Sequence, residues 1–349
     1  MKILIIQPFL SWGGAEAVSL QFAGHLKGAK VVALYKDKNL PYGAGNTQII
    51  TLPGFISNLL QNYRTFLIIF GFPMLLYLTL KNSKNFNVIN PHNFPSLWIA
   101  VIVGKIRKIP VVWTVHNFPQ SQFPVFLDKF FARRCKAIVA VSEKVAIQVW
   151  DSYKLKAELL YPGIDYNFFG NGKKIPGCKN KFVVLTAGRL KKEKSFDLAI
   201  RAFAKASEKI KNAVFVVAGT GPDLVRLKAM THELGAKVEF VGYRTPTQLR
   251  DWYKTADLFV LPSYKTEGCN LSPLEALCAG TPSLVVEGSG VDEIVKKNRL
   301  GFVTQPTVKD FSEKILYFYR YRNPVRLGSV WIKNNLSWPI YVKKFLQLL

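Results

Sequence analysis

Residues 266–275 read TEGCNLSPLE. Two carboxylates, Glu267 and Glu275, flank a glycine, a thiol, an amide and a Ser-Pro. The preceding DLFVLPS has the apolar run of a buried strand, and LEALCAG continues as a helix. The pattern predicts Glu267 in a loop at the strand's carboxyl end, a helix beginning near Asn270 or Leu271, and Glu275 about one turn inside it. The backbone N–H groups of Gly268, Cys269, Asn270 and Leu271 would then point toward an anion. A carboxylate accepts two hydroxyl hydrogen bonds, so each glutamate suits a vicinal diol.

A second cluster stands in TAGRLKKEKSFD at 186–197. Arg189 and Lys194 fall in a loop before a helix starting near Ser195, where a guanidinium, an ammonium and a helix N-terminus together favour phosphate. Lys191 and Lys192 read as solvated. Near the start, SWGGAE at 11–16 follows a strand and opens a helix, and Gly13 and Gly14 permit close backbone approach to a ligand. The turn is not G-x-G-x-x-G, which argues against a nicotinamide dinucleotide. VAGTGP at 217–222 places glycines after another strand. Two diols with a diphosphate between them describe a nucleotide-sugar.

These loops need a scaffold. KILIIQ, KVVALY, NVINPH, VVWTVH and AIVAVS read as buried strands separated by helical stretches such as SLWIAVIVGKIR and FLDKFFARRC. That alternation is the grammar of a parallel sheet covered on both faces. It lapses over 166–180, read as a linker, and restarts with FVVLTAG, AVFVVAG, KVEFVG and DLFVLPS. The expected organisation is α/β: two Rossmann-like doubly wound domains, 1–165 and 181–322, facing across a cleft, with C-terminal helices over 323–349. Sites in such sheets form at the carboxyl ends of strands.

The 349 residues suit about two domains, and 49% hydrophobic content excludes a disordered chain. Lys and Arg number 48 against 22 Asp and Glu, a formal charge of +26 spread along the chain. Such a surface favours nucleic acid, phosphorylated ligands or acidic headgroups. The four cysteines show no C-x-x-C spacing, so they are read as reduced cytoplasmic thiols. MKILIIQPFL reads as a first strand rather than a signal peptide. FLIIFGFPMLLYLTL at 66–80 is uncharged but shorter than the about 20 residues of a membrane span. It reads either as a core helix or as a helix lying on a membrane surface.

From Glu267 to Glu275, followed by A-x-x-x-G-x-P, the chain resembles the E-x7-E motif of retaining GT-B glycosyltransferases of family 4. GGAE, YPGID, AGRLKKEKSFDLAIRAFA, VAGTGP and LRDWYKTADLFVLPS carry the same resemblance. NNLSWPIYVKKFL resembles that family's last segment, whose terminal helix crosses back onto the first domain. The resemblance implies that Arg189 and Lys194 hold the donor diphosphate, Glu267 contacts the donor sugar and Glu275 the ribose. Gly14 would approach the phosphate or sugar. His116, in TVHNFP, matches a histidine beside the reacting carbon, and His92, in PHNFP, ranks below it. Cys269 and Asn270 replace the family's usual phenylalanine and glycine.

The implied reaction moves a hexosyl unit from a nucleoside diphosphate sugar to a hydroxyl with retention. No metal or other cofactor is expected, because no D-x-D motif occurs. The implied acceptor is a lipid-linked or growing glycan at the cytoplasmic face of the cell membrane, with peripheral contact to anionic lipid through 66–80, Phe55, Phe70, Phe72 and the basic KFFARRCK. A nucleotide-sugar 2-epimerase or phosphorylase of the same fold, and a nucleic-acid-binding protein on charge alone, are the alternatives. No nucleic-acid recognition motif supports the last.

Overall fold

The computed structural model describes residues 1–11, 13–37, 47–62, 64–117, 125–264, 267–321 and 328–349. Trp12, Phe118, Pro119, Lys265 and Thr266 of the motifs above lie outside them. The chain forms two compact units, Met1–Gly163 with Trp338–Leu349, and Ile164–Ser337.

In the first unit four parallel strands stand in the order Gln48–Ile50, Lys30–Val32, Ile3–Ile6, Val88–Pro91. A parallel bridge from Ile89 to Val111 leads into a second parallel set, Val112–Val115, Ala137–Ala140 and Glu158–Leu159. Ile3–Ile6, Val88–Pro91 and Val112–Val115 are buried at every residue. Their largely apolar sequences, interrupted only by Asn90 and Thr114, reflect helices on both faces of the sheet.

Helix Arg64–Asn82 contains the whole of the ambiguous apolar segment 66–80. It buries Leu75, Leu78 and Thr79 along one stripe, while Phe70, Phe72 and Tyr77 stay exposed. It is therefore core on one side and surface on the other. Among the described residues no helix is long and apolar enough to cross a membrane.

The terminal helix Trp338–Leu346 packs on helix Gly14–Gly24. Tyr341 and Phe345 meet Phe22 at centroid distances of 5.1 and 4.7 Å. Trp338 is buried, stacks on His25 at 5.5 Å, and donates its Nε1–H to Oε1 of Gln21 at 2.6 Å. An indole this buried needs a partner for its N–H, and Gln21 supplies it.

In the second unit six parallel strands stand in the order Val238–Gly242, Ala213–Ala218, Phe182–Ala187, Leu258–Leu261, Ser283–Val286, Gly301–Thr304. Helix Phe196–Ser207 buries Phe196, Ala199, Ile200, Phe203 and Ala206, the three- and four-residue spacing of one helical face. That face meets Phe182, Val184, Phe215 and Phe311 in the core.

The segment expected as a linker belongs to this unit. Tyr166–Gly170 is a helix capped by Asp165, whose side chain accepts from the Phe168 N–H at 3.0 Å. Phe169 is buried, edge-on to Tyr253 at 6.0 Å. Gly, Asn and Pro obscured a single turn too short to show periodicity.

Trp338→Ala should destabilise the first unit by roughly 3–5 kcal/mol, through cavity formation and an unpaired Gln21. Thermal unfolding checks this. An unchanged Tm would mean that the terminal helix contributes nothing to the unit.

Candidate functional site

The strand order of the second unit decides where its loops converge. Successive crossovers from Phe182–Ala187 run to one side, then the chain returns to place Leu258–Leu261 on the other, with Val184 paired to Leu258. At such a reversal the carboxyl ends of the two central strands lie open between diverging connections. The loop after the first holds Arg189 and Lys194, and the loop after the second holds Ser263 and Glu267.

Lys194 and Glu267 meet there, with Nζ donating to Oε1. Glu267 Oε1 also accepts from Ser263 Oγ at 2.7 Å. The carboxylate side chain is only 11% exposed and the lysine 26%. One carboxylate oxygen thus anchors a hydroxyl and an ammonium from two loops. Ser263 was not singled out in the sequence, where a serine after a strand looks like a turn residue. Arg189 lies in the same loop as Lys194, exposed at the carboxyl end of its strand.

Backbone contacts hold these loops. Gly188 and Leu190 donate to the carbonyls of Ala218 and Thr220 at 3.0 and 2.9 Å. Gly219 sits so close that a Cβ would lie 1.9 Å from the Gly188 carbonyl oxygen. Gly290, at φ +76°, presses on the Gly268 carbonyl in the same way, also at 1.9 Å. Only glycine permits either approach. Asp292 secures the Gly290 loop by accepting from the N–H groups of Gly288 and Gly290, both at 2.9 Å.

The helix after Glu267 is Ser272–Cys278, beginning one or two residues later than expected. Asn270 accepts from the Ser272 N–H at 3.0 Å, an Asx turn that leads into the helix. Gly268 is buried, and Cys269, Asn270 and Leu271 are partly so. Burial pushes the Cys269 thiol up, as do Glu293, Glu267 and Asp292 nearby, so it stays protonated.

Glu275 meets a different partner, accepting from Tyr253 Oη at 2.8 Å. Burial raises its carboxyl from 4.5 to about 7, with the Tyr253 hydrogen bond pulling the other way. Tyr253 is fully buried, and it was not singled out in the sequence.

The first unit carries its own cluster. His92 follows strand Val88–Pro91, and its N–H donates to the Ile6 carbonyl at 3.1 Å. His116 follows strand Val112–Val115. The two rings stack with centroids 5.0 Å apart, joined from His92 Nδ1 to His116 Nε2 at 2.9 Å. Burial lowers His116 to about 4 and holds His92 well below its ordinary value. Both are neutral near pH 7. Gly14 is exposed at its helix start, with open space where a Cβ would be.

Among the described residues no three His, Cys, Asp or Glu side chains come together as a metal site. A cavity of about 370 Å³ at the edge strand Gly301–Thr304, lined by Lys296, Arg299 and Lys314, contains none of the residues above.

Two family models match the chain. "Glycosyl transferases group 1" covers residues 171–335 and "Glycosyltransferase Family 4" covers 12–168. An uncharacterized glycosyltransferase of Methanocaldococcus jannaschii is 26% identical over 251 residues, 64% of each chain. Mannosylfructose-phosphate synthase of Agrobacterium fabrum is 28% identical over 277 residues, 66% of this chain and 60% of that protein. The chain thus spans 60–64% of these relatives' length. HepE of Anabaena, solved with UDP and glucose, matches with a TM-score of 0.82 at 19% identity over 99% of this chain and 98% of that one. Sucrose-phosphate synthase of Thermosynechococcus elongatus matches at 0.76 and 16% over 99% and 98%. These likenesses establish a GT-B fold, in accord with the two α/β units read from the sequence.

Glu275 gives a pH signature. A carboxyl whose pKa rises on folding favours the fold in its protonated form. Its contribution is complete below 4.5 and is lost as pH climbs to about 7. Glu275→Gln should therefore gain Tm relative to wild type between about pH 5 and pH 8. A difference independent of pH would contradict the raised pKa.

Proposed function

The chain belongs to the GT-B glycosyltransferases of family 4, and from that premise we propose that it transfers a hexosyl unit from a nucleoside diphosphate sugar to a hydroxyl acceptor, with retention of configuration. The observation that carries this reading is the meeting of Lys194, Glu267 and Ser263 at the strand-order reversal of the second unit. The binding of UDP and glucose by HepE supports the same ligand class.

In this reading Lys194 and Arg189 bind the donor diphosphate, and the N–H groups of Gly268 to Leu271 contribute to the same anion site. Positive charge placed beforehand at the leaving diphosphate stabilises charge as it develops, a role elsewhere taken by a metal ion. Glu267 accepts from donor sugar hydroxyls. Its second oxygen, Oε2, remains for them while Oε1 is held by Ser263 and Lys194. Glu275 accepts from the ribose diol in its ionised form, so donor binding favours proton release from a group near 7. Gly14 lets backbone N–H groups approach the donor, and His116 meets the reacting sugar.

The acceptor in this reading is a lipid-linked or growing glycan at the cytoplasmic membrane face. Phe72, Trp98, Phe131 and Phe130 form a ladder with centroid distances of 6.4, 5.6 and 5.3 Å. Arg134 sits 3.5 Å over the Phe130 ring. Phe126 is 70% exposed on the same helix. Aromatics edged by cations suit an anionic lipid surface.

Lys194→Ala and Arg189→Ala should each weaken nucleoside diphosphate binding by roughly ten- to hundredfold in Kd, measured by calorimetry. Unchanged affinity would remove them from the donor site. Glu267→Ala should lower kcat more than it lowers affinity for the bare nucleoside diphosphate, and the reverse pattern would place Glu267 outside the sugar subsite. In flotation, the protein should rise with anionic vesicles and Phe126→Ser/Phe130→Ser should not. Wild type that stays at the bottom would count against membrane docking.

A further inference from the structure

His92 is fully buried, titratable and given no part in the reaction above. Its surroundings form a chain of hydrogen bonds with only one self-consistent polarity. The chain begins at a backbone carbonyl, which can only accept. Asn90 Nδ2 lies 2.6 Å from the Val112 oxygen and 3.0 Å from Thr114 Oγ1. The amide nitrogen must therefore face strand Val112–Val115, which turns Oδ1 toward His92. Oδ1 also only accepts, and His92 Nε2 lies 2.7 Å from it. His92 must carry its proton on Nε2. Being neutral, it presents a lone pair at Nδ1, 2.9 Å from His116 Nε2. His116 must then place its own proton on Nε2 and keep its lone pair on Nδ1.

We propose that Asn90 and His92 are positioning residues that hold His116 as the Nε2–H tautomer, so that His116 meets substrate as a hydrogen-bond acceptor at Nδ1. The part concerning substrate rests on the function proposed above, and the part concerning the tautomer does not. The fold supplies the rigidity. Asn90 and His92 are wholly buried, Asn90 lies within strand Val88–Pro91, and the His92 backbone is tied to Ile6. Loss of the imidazolium to burial removes the alternative in which both nitrogens carry protons. A ring oriented by a second group is the usual way a histidine's two nitrogens are told apart. A lone pair at Nδ1 can accept from a sugar hydroxyl. Proton donation to a leaving group would need the opposite tautomer.

Nitrogen NMR of the full chain labelled at its four histidines tests this directly. In wild type, His116 Nδ1 should show the shift of an unprotonated nitrogen and Nε2 that of a protonated one. A protonated Nδ1 would overturn the inference whatever the activity. His92→Leu removes the acceptor and should mix the His116 tautomers. His92→Gln restores a donor and an acceptor at a similar span and should recover the single tautomer. In transfer assays, His92→Leu should lower kcat by about a hundredfold with KM little changed, and His92→Gln should regain most of it. A His92→Leu variant that folds with the wild-type tautomer and wild-type kcat would overturn the assignment. If the tautomers behave as stated while His116→Ala transfers normally, the substrate role of His116 falls and the tautomer assignment stands.

Discussion

The site of the second unit depends on one topological constraint, the reversal of strand order between Phe182–Ala187 and Leu258–Leu261. Because the chain winds outward from one central strand and then returns to the other side, two loops end beside each other with no crossover above them. The ion pair of Lys194 with Glu267 is a consequence of that placement. A carboxylate 11% exposed would be costly alone. Ser263 and Lys194 offset the lost hydration by satisfying the same oxygen. The pairing also fixes the lysine in advance, so less side-chain freedom would be lost on binding the diphosphate proposed above. Gly290 and Gly219 extend the constraint, since any side chain at either position would drive apart the loops that carry the charges.

The first unit repeats the design with different chemistry. Its central strands, Ile3–Ile6 and Val88–Pro91, are again where the order reverses. The loops there hold Gly13, Gly14 and His92 rather than charges, and His116 stands at the end of strand Val112–Val115. A buried line of polar groups from Val112 through Asn90 and His92 to His116 is sustainable only when each member has a partner of the right sense. Here each does. In the function proposed above, the second unit places charge for an anion, while the first holds neutral, oriented hydrogen-bonding groups.

Much of this was legible in the chain. The buried strands read correctly because parallel strands covered on both faces are apolar at nearly every position. The positions of Arg189, Lys194 and Glu267 at strand ends followed from that register. Other features were not. Gln48–Ile50, Ser283–Val286 and Gly301–Thr304 were not picked out as strands, because three or four residues give little periodicity. The helix Tyr166–Gly170 was hidden by its Gly- and Asn-rich flanks. The contact of Lys194 with Glu267 joins residues 73 positions apart, and the partnership of Tyr253 with Glu275 spans 22. Such pairings are set by tertiary packing, which no local pattern encodes. His92 ranked below His116 because its strand is earlier and its family parallel weaker, and only its distance to His116 revealed a network.

Hydrogen exchange on the full chain, with and without a saturating nucleoside diphosphate, tests the central claim most directly. The account predicts slowed exchange in two segments far apart in sequence, 188–196 and 267–275, because one ligand bridges both loops. Protection confined to other segments, with those two unchanged at saturation, would contradict it.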